Sequence, residues 1–267
     1  MEGDAGDRRG SGHICGAGAG LPSIRHKSSQ RPAFRPARRI LEDVSKAENA
    51  IGGLIGHPQG DLQVSVPFTF AVGPLARMMP GFMPRYPDVR VLLTIQNRVV
   101  DMLGEEFDLV IPIGPLVDSE LIARRLATMA LWPCASPAYL ASHAPVVEPT
   151  DLKAHTIVGH GGTREMWSFE RAPDPSIEIE LEPSAVAPEP DVVRTMLIAG
   201  AGIGILPDFH ASDLIAAGIL VRVLLDYQHC RVDVHALYTS HRSLSAKVRV
   251  LINALIAAFP RTAGPSS

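Results

Sequence analysis

Asp61-Leu-Gln-Val-Ser-Val-Pro67 opens an alternation of strands and helices that continues almost to the end of the chain. Leu62, Val64 and Val66 occupy every second position, the period of a strand with one buried face, and Pro67 closes it. Gly73-Pro74 then opens a helix whose Leu75, Met78, Met79, Phe82 and Met83 share one face, bounded by Pro84 and Pro87. Val89–Ile95 reads as a buried strand, Asn97 as the N-cap of a short helix through Leu103, and Phe107–Ile113 as a third strand turned by Gly114-Pro115. Leu121–Leu131 leads into Pro133, Pro137 and another helical start.

A second set follows with the same rhythm. Thr156–Gly159 and Ile177–Leu181 read as strands, Asp191–Ala199 as a helix stopped by Gly200, and Ile203–Leu206 as a strand stopped by Pro207. A helix over Phe209–Ala217, strands over Leu220–Leu224 and Val232–Tyr238, and a closing helix over Ser245–Phe259 complete it. The class is therefore α/β, with a parallel or mixed sheet covered by helices. Two halves of comparable rhythm imply two lobes with a cleft between them, the usual place for a ligand.

Upstream, Ile40, Val44, Ala47, Ile51 and Leu54 form an a/d seam about two heptads long, ended by Gly56 and Pro58. Pairing with a second helix and packing on the chain's own domain both satisfy that seam. Residues 1–36 have no apolar period, and seven of the first twenty are Gly, so a disordered basic tail is expected there. Residues 1–39 carry eight Arg and Lys against three acidic residues, while the rest carries 17 against 25. That acidic body is the wrong sign for a nucleic-acid surface.

The chain has 267 residues, 46% of them hydrophobic, enough for a large core. No apolar run reaches the roughly 18 residues of a membrane span, and no secretory signal opens the chain. Cys15, Cys134 and Cys230 lie too far apart for a zinc ribbon or a CxxC pair. A reducing, cytoplasmic setting is expected, with Cys134 and Cys230 as buried, inert thiols. Gly200-Ala-Gly202-Ile-Gly204 stands between a helix and a strand, the reverse of a dinucleotide fingerprint, and reads as a helix end with tight packing. His160-Gly161-Gly162 lacks the GxSxG nucleophile that would make it part of a hydrolase. The histidines at 229, 235 and 241 have no acidic partners repeating with them, so neither metal, cofactor nor catalytic residues are assigned.

Several segments then resemble, in order, those of the LysR-type transcriptional regulators. Gly60-Asp-Leu-Gln-Val-Ser-Val-Pro67 is similar to the first strand of the effector domain, and Phe82-Met-Pro-Arg-Tyr-Pro-Asp-Val89 to the F-x-x-x-YP-x-V helix end. Val100-Asp101 with Phe107-Asp108 through Gly114 resembles the next segment. Asp118–Leu126, Ala135–Leu140, Gly200–Pro207 and Leu244–Arg249 continue the series, over some four-fifths of the chain.

The resemblance implies a linker helix over 37–57 and a two-lobed, periplasmic-binding-protein-like (type 2) effector domain over 60–260. Lobe I would be 60–133 and 239–260, and lobe II 134–238. It implies a homodimer or homotetramer that binds a small effector, an organic acid or aromatic compound, in the cleft. By family position and lobe geometry the cleft residues would be Phe68, Thr69, Phe70, Asn97, Arg98, Gly114, His160, Gly161, Pro190 and Asp191. Glu189 and Asp191 would repel a carboxylate at the helix start, and Pro112 replaces a basic residue that many relatives carry. The family's winged helix-turn-helix is not recognisable in the first forty residues, so DNA is expected as a partner only with such a unit restored upstream. A stand-alone solute-binding protein of the same fold is the alternative.

Overall fold

The computed structural model describes residues 57–96, 107–116, 121–239 and 245–259. The expected tail, almost all of the 37–57 helix, and the helix beginning at Asn97 and Arg98 lie outside these residues. β1 (Gly60–Val66) forms where the alternation places it, with Leu62, Val64 and Val66 fully buried.

The helical segment after β1 starts earlier than Gly73-Pro74. Phe68–Phe70 form one helical turn, Ala71–Leu75 a wider π turn, and Ala76–Arg85 the helix α1. Inside an α-helix the Pro74 ring would strike the carbonyl four residues back, and the missing N–H would break a bond. The turn widens around it, with Gly73 leaving helical angles at φ −95°, ψ −106°. Pro80 and Pro84 lie inside α1, which stops where Tyr86 N–H donates to Phe82 O at 3.0 Å.

β2 (Val89–Ile95) runs parallel to β1, with Gly60 opposite Val89 and Val66 opposite Ile95. β3 is shorter than expected: only Leu109–Val110 pair, opposite Val64 and Ser65, and Ile113 makes an isolated bridge to Val234. Pro112, between them, has no N–H to give a ladder. The largest departure is β4 (Ile122–Ala135), a fourteen-residue strand across the stretch read only as a passage to Pro133.

Ser136 caps α2 (Pro137–Ala141) by accepting from Tyr139 N–H at 3.3 Å. Then come β5 (Ile157–Gly159), β6 (Glu165–Glu170), β7 (Ile177–Leu181), β8 (Ala185–Val186), α3 (Pro190–Ile198), β9 (Ile203–Pro207) and α4 (Asp208–Ala216). β6 was not anticipated. β10 (Val221–Arg222) is what remains of the strand expected over Leu220–Leu224; β11 (Gln228–His229), β12 (Arg231–Tyr238) and α5 (Ala246–Ala258) end the fold.

One sheet has the order β2-β1-β3-β12-β4-β9-β5-β8 with β10 also on β4, and a second is β11-β6-β7. Two bodies of core hang on it. Phe70, Leu75, Phe82, Leu251 and the buried face of β1 make the first. In the second, Trp167, Phe169, Ile179 and Ile203 pack on one side and Val158, Val193, Leu197 and Leu206 on the other. Leu131 of β4 packs against both bodies. Antiparallel β12 and β4 pair from Arg231 opposite Ala130 to Tyr238 opposite Ile122, with a register shift between Val234 and His235. α5 is held onto β1 by buried Lys247, whose ammonium donates to Asp61 O and, at 3.0 Å, to Asp108 Oδ2.

The glycine run after α3 is a helix end. Gly200 takes φ +84° as its N–H donates to Leu197 O, and Ala201 N–H donates to Met196 O. Gly202, at φ +153°, lies so close to the Thr156 carbonyl that a Cβ would press into it. Cys134 is fully buried, which pushes its thiol up to about 12, whereas Cys230 is only half-buried.

Phe68 and Phe70, two apart on a helical turn, face opposite ways: Phe70 is fully buried and Phe68 is 40% exposed. Phe70→Ala should therefore cost about 3–5 kcal/mol in urea unfolding followed by circular dichroism, while Phe68→Ala should stay within about 1 kcal/mol.

Candidate functional site

The two lobes and the strands that join them enclose a cavity of about 240 Å³. Ser65, Pro67, Thr69 and Gln96 face it from the β1 side, and His160, Glu165, Trp167 and Glu189 from the other. Met129 and Leu131 of β4, Val232 of β12 and Pro207 of β9 join the two walls. Strand ends and a helix start meet here because β1 and β5 both point their carboxyl ends into the gap.

Of the residues expected at the cleft, Thr69, Gly114, His160, Gly161 and Pro190 line this cavity. Phe70 does not: it belongs to the first core and stands 5.6 Å, centroid to centroid, from Phe259. Phe68 and Asp191 lie outside it, along a shallower groove with Val192, Thr195 and Met196. Asn97 and Arg98 are not among the described residues. Gln96, Glu165, Trp167 and His229 line the cavity without having been anticipated, and Glu189, expected only as a repelling charge at the helix start, lines it too. The alternation Glu165, Trp167, Phe169, all buried, was the available signal for β6.

Glu165 organises the second wall. Its Oε1 accepts from the backbone N–H of His160 at 2.6 Å and of Gly161 at 2.7 Å, and its Oε2 from Trp167 Nε1–H at 3.0 Å. The His160 ring donates from Nε2 to Ile205 O at 2.7 Å, which assigns its proton to that nitrogen. His229 donates from Nδ1 to Ser168 O at 2.6 Å, and its ring contacts Phe169 and Trp167. Burial among these groups lowers His229 to about 4, with the bond to Ser168 opposing the shift. On the first wall Gln96 Nε2 donates to the buried Ser65 Oγ at 3.0 Å.

The lobes also touch directly beside the cavity. Thr69 Oγ1 donates to Glu189 Oε1 at 2.6 Å, with Asp191 Oδ2 at 3.5 Å. His210 Nε2 donates to Thr69 O at 3.1 Å; burial lowers its pKa although Thr69 O and Asp191 favour the charged ring. Arg194 pairs with Asp191 at 3.3 Å. Arg77 of α1 reaches Asp213 and Phe209 O of α4.

The sequence model of the LysR substrate binding domain matches residues 56–260. The chain belongs to this LysR family. An HTH-type transcriptional regulator of Xanthomonas campestris is 28% identical over 225 residues, 82% of this chain and 65% of the relative's length. The HTH-type transcriptional activator AaeR of Escherichia coli is 31% identical over 235 residues, 87% of this chain and 76% of that protein. Among solved structures, CrgA, a LysR-type transcriptional regulator from Neisseria meningitidis, superposes with a TM-score of 0.69 at 28% identity, covering 84% of this chain and 76% of CrgA. The fold is thus that of LysR regulatory domains, two-lobed and periplasmic-binding-protein-like. Among the described residues no helix is long and apolar enough to cross a membrane.

In this LysR domain His229 titrates lower folded than unfolded, so its contribution to stability is complete above about pH 6.5 and fades as pH falls towards 4. His229→Asn, which keeps an N–H and removes the titration, should flatten roughly 2–3 kcal/mol of that acid loss in urea titrations run at intervals between pH 7 and 4.

Proposed function

We propose that residues 60–260 are the effector-sensing unit of a LysR-type transcriptional regulator, with a small molecule bound between lobe I (60–133 and 239–260) and lobe II (134–238). The observation that carries this reading is the cavity of about 240 Å³ walled by both lobes and crossed by β4 and β12. A ligand that touches both walls binds best when the lobes stand at one particular angle, so it shifts the population towards that arrangement. Transmission to transcription then needs only that the angle alter how copies of the chain pack, as a homodimer or homotetramer. No chemical step is assigned to the cleft. Contact with DNA belongs to a helix-turn-helix joined to such a unit.

Thr69 is the first residue to test, because its hydroxyl joins the two walls through Glu189. A fragment library screened by thermal shift on the intact chain should contain members that raise its Tm, and Thr69→Ala should weaken their effect several-fold. A library with no stabilising member, or hits indifferent to Thr69→Ala, would count against the cleft as the sensing site.

A further inference from the structure

The cavity is rich in hydrogen-bond acceptors and poor in donors. Five of its lining residues are proline, at positions 67, 112, 188, 190 and 207, and none of these has a backbone N–H to offer. The side-chain donors among the described lining residues are largely committed. Thr69 donates to Glu189, Trp167 to Glu165, His160 to Ile205 O, and Gln96 to Ser65. Two adjacent backbone N–H groups of the lining, those of His160 and Gly161, converge as an anion site would require, and Glu165 Oε1 already fills them. Gly159 makes room for that carboxylate, since a Cβ there would collide with it. The donors holding Glu165 are three uncharged N–H groups, so they satisfy its oxygens without cancelling its charge. His229, with its proton on Nδ1, keeps Nε2 as a further acceptor.

We propose that Glu165 sets the ligand class of this cleft: its carboxylate occupies the His160–Gly161 N–H pair from within, so the cleft refuses carboxylates and takes a neutral or cationic, hydrogen-bond-donating molecule built on an apolar ring. The apolar part follows from Ile111, Met129, Leu131, Trp167 and Val232 in the lining. The size follows from the volume: an engineered apolar cavity of about 150 Å³ holds benzene, and 240 Å³ leaves space for a polar substituent. A ligand carboxylate would lie near the Glu165 charge in a partly desolvated site, where like charges repel strongly, and Glu189 in the same lining adds to that repulsion without occupying the N–H pair. This assignment rests on the cleft being a ligand site.

Three probes of nearly one shape separate the possibilities: benzoate, benzamide and benzamidinium. Each is titrated into the whole chain, its Glu165→Gln variant and its Glu165→Ala variant, following the indole N–H signal of Trp167 by NMR. In the unaltered protein benzamide and benzamidinium should bind at least ten-fold more tightly than benzoate. Glu165→Ala should free the N–H pair and raise benzoate affinity ten-fold or more. Glu165→Gln keeps the side-chain volume and removes the charge, so it should narrow the gap between benzoate and benzamide even if Glu165→Ala fails to fold. Benzoate binding the unaltered protein as tightly as benzamide, or gaining nothing in a folded variant, overturns the assignment to Glu165. Silence of all three probes in every folded form is a different result and overturns the cleft as a ligand site.

Discussion

Strand β4 belongs to both lobes at once, pairing with β12 inside the first core and with β9 in the second. β4 gives Leu126 and Met129 to the first core, Cys134 and Ala135 to the second, and Leu131 to the boundary. Asp233 of β12 accepts from Thr128 of β4, and Asp208 at the start of α4 accepts from Ala130 N–H at 3.1 Å and Phe209 N–H at 2.8 Å. Burial raises the Asp208 carboxyl, and those N–H bonds oppose the rise. Each ladder fixes the register of β4 in its own lobe, so neither lobe can slide along this strand without breaking several bonds together. What remains is rotation where β4 crosses, and the bonds at Thr69, His210 and Arg77 form a second attachment that opposes it.

Several elements were legible because their residues keep one period: β1, β7, β12 and α5 each hold a buried face, whereas β9 is buried throughout and β2, expected to be buried, is so only at Val89. β4 was not, for a reason visible in its burial. Its first four residues are exposed, its middle is half-buried, and its last three are buried, so no single alternation runs through it. A strand that leaves one lobe and enters another changes which face is inside. The start of the first helix was misread because Gly73-Pro74 is a usual helix opening, and a π turn that absorbs a proline leaves no local signature.

The site was half legible for a related reason. Thr69, Gly114, His160, Gly161 and Pro190, expected from lobe geometry and from the family resemblance, line the cavity. Gln96 and His229 carry no pattern of their own and are brought there by tertiary packing alone. Glu165 is the instructive case. A carboxylate at a buried strand position reads as a break in the apolar alternation, whereas here it supplies the acceptor that three N–H groups across a short loop require. The same contact changes what His160 and Gly161 mean: from the sequence they are candidate cleft residues, and in the fold their N–H groups are already bonded to Glu165.

The prolines around the cavity have an effect on chain entropy as well. Each ring holds φ near −65° in the unfolded chain as in the folded one. The segments ending β1 and β9 and opening α3 therefore have fewer conformations to lose, both on folding and when a guest arrives. Much of the ordering that a binding site ordinarily exacts from its ligand has already been met by covalent structure. A guest can spend its contact energy on setting the angle between the lobes instead of on stiffening the walls around itself.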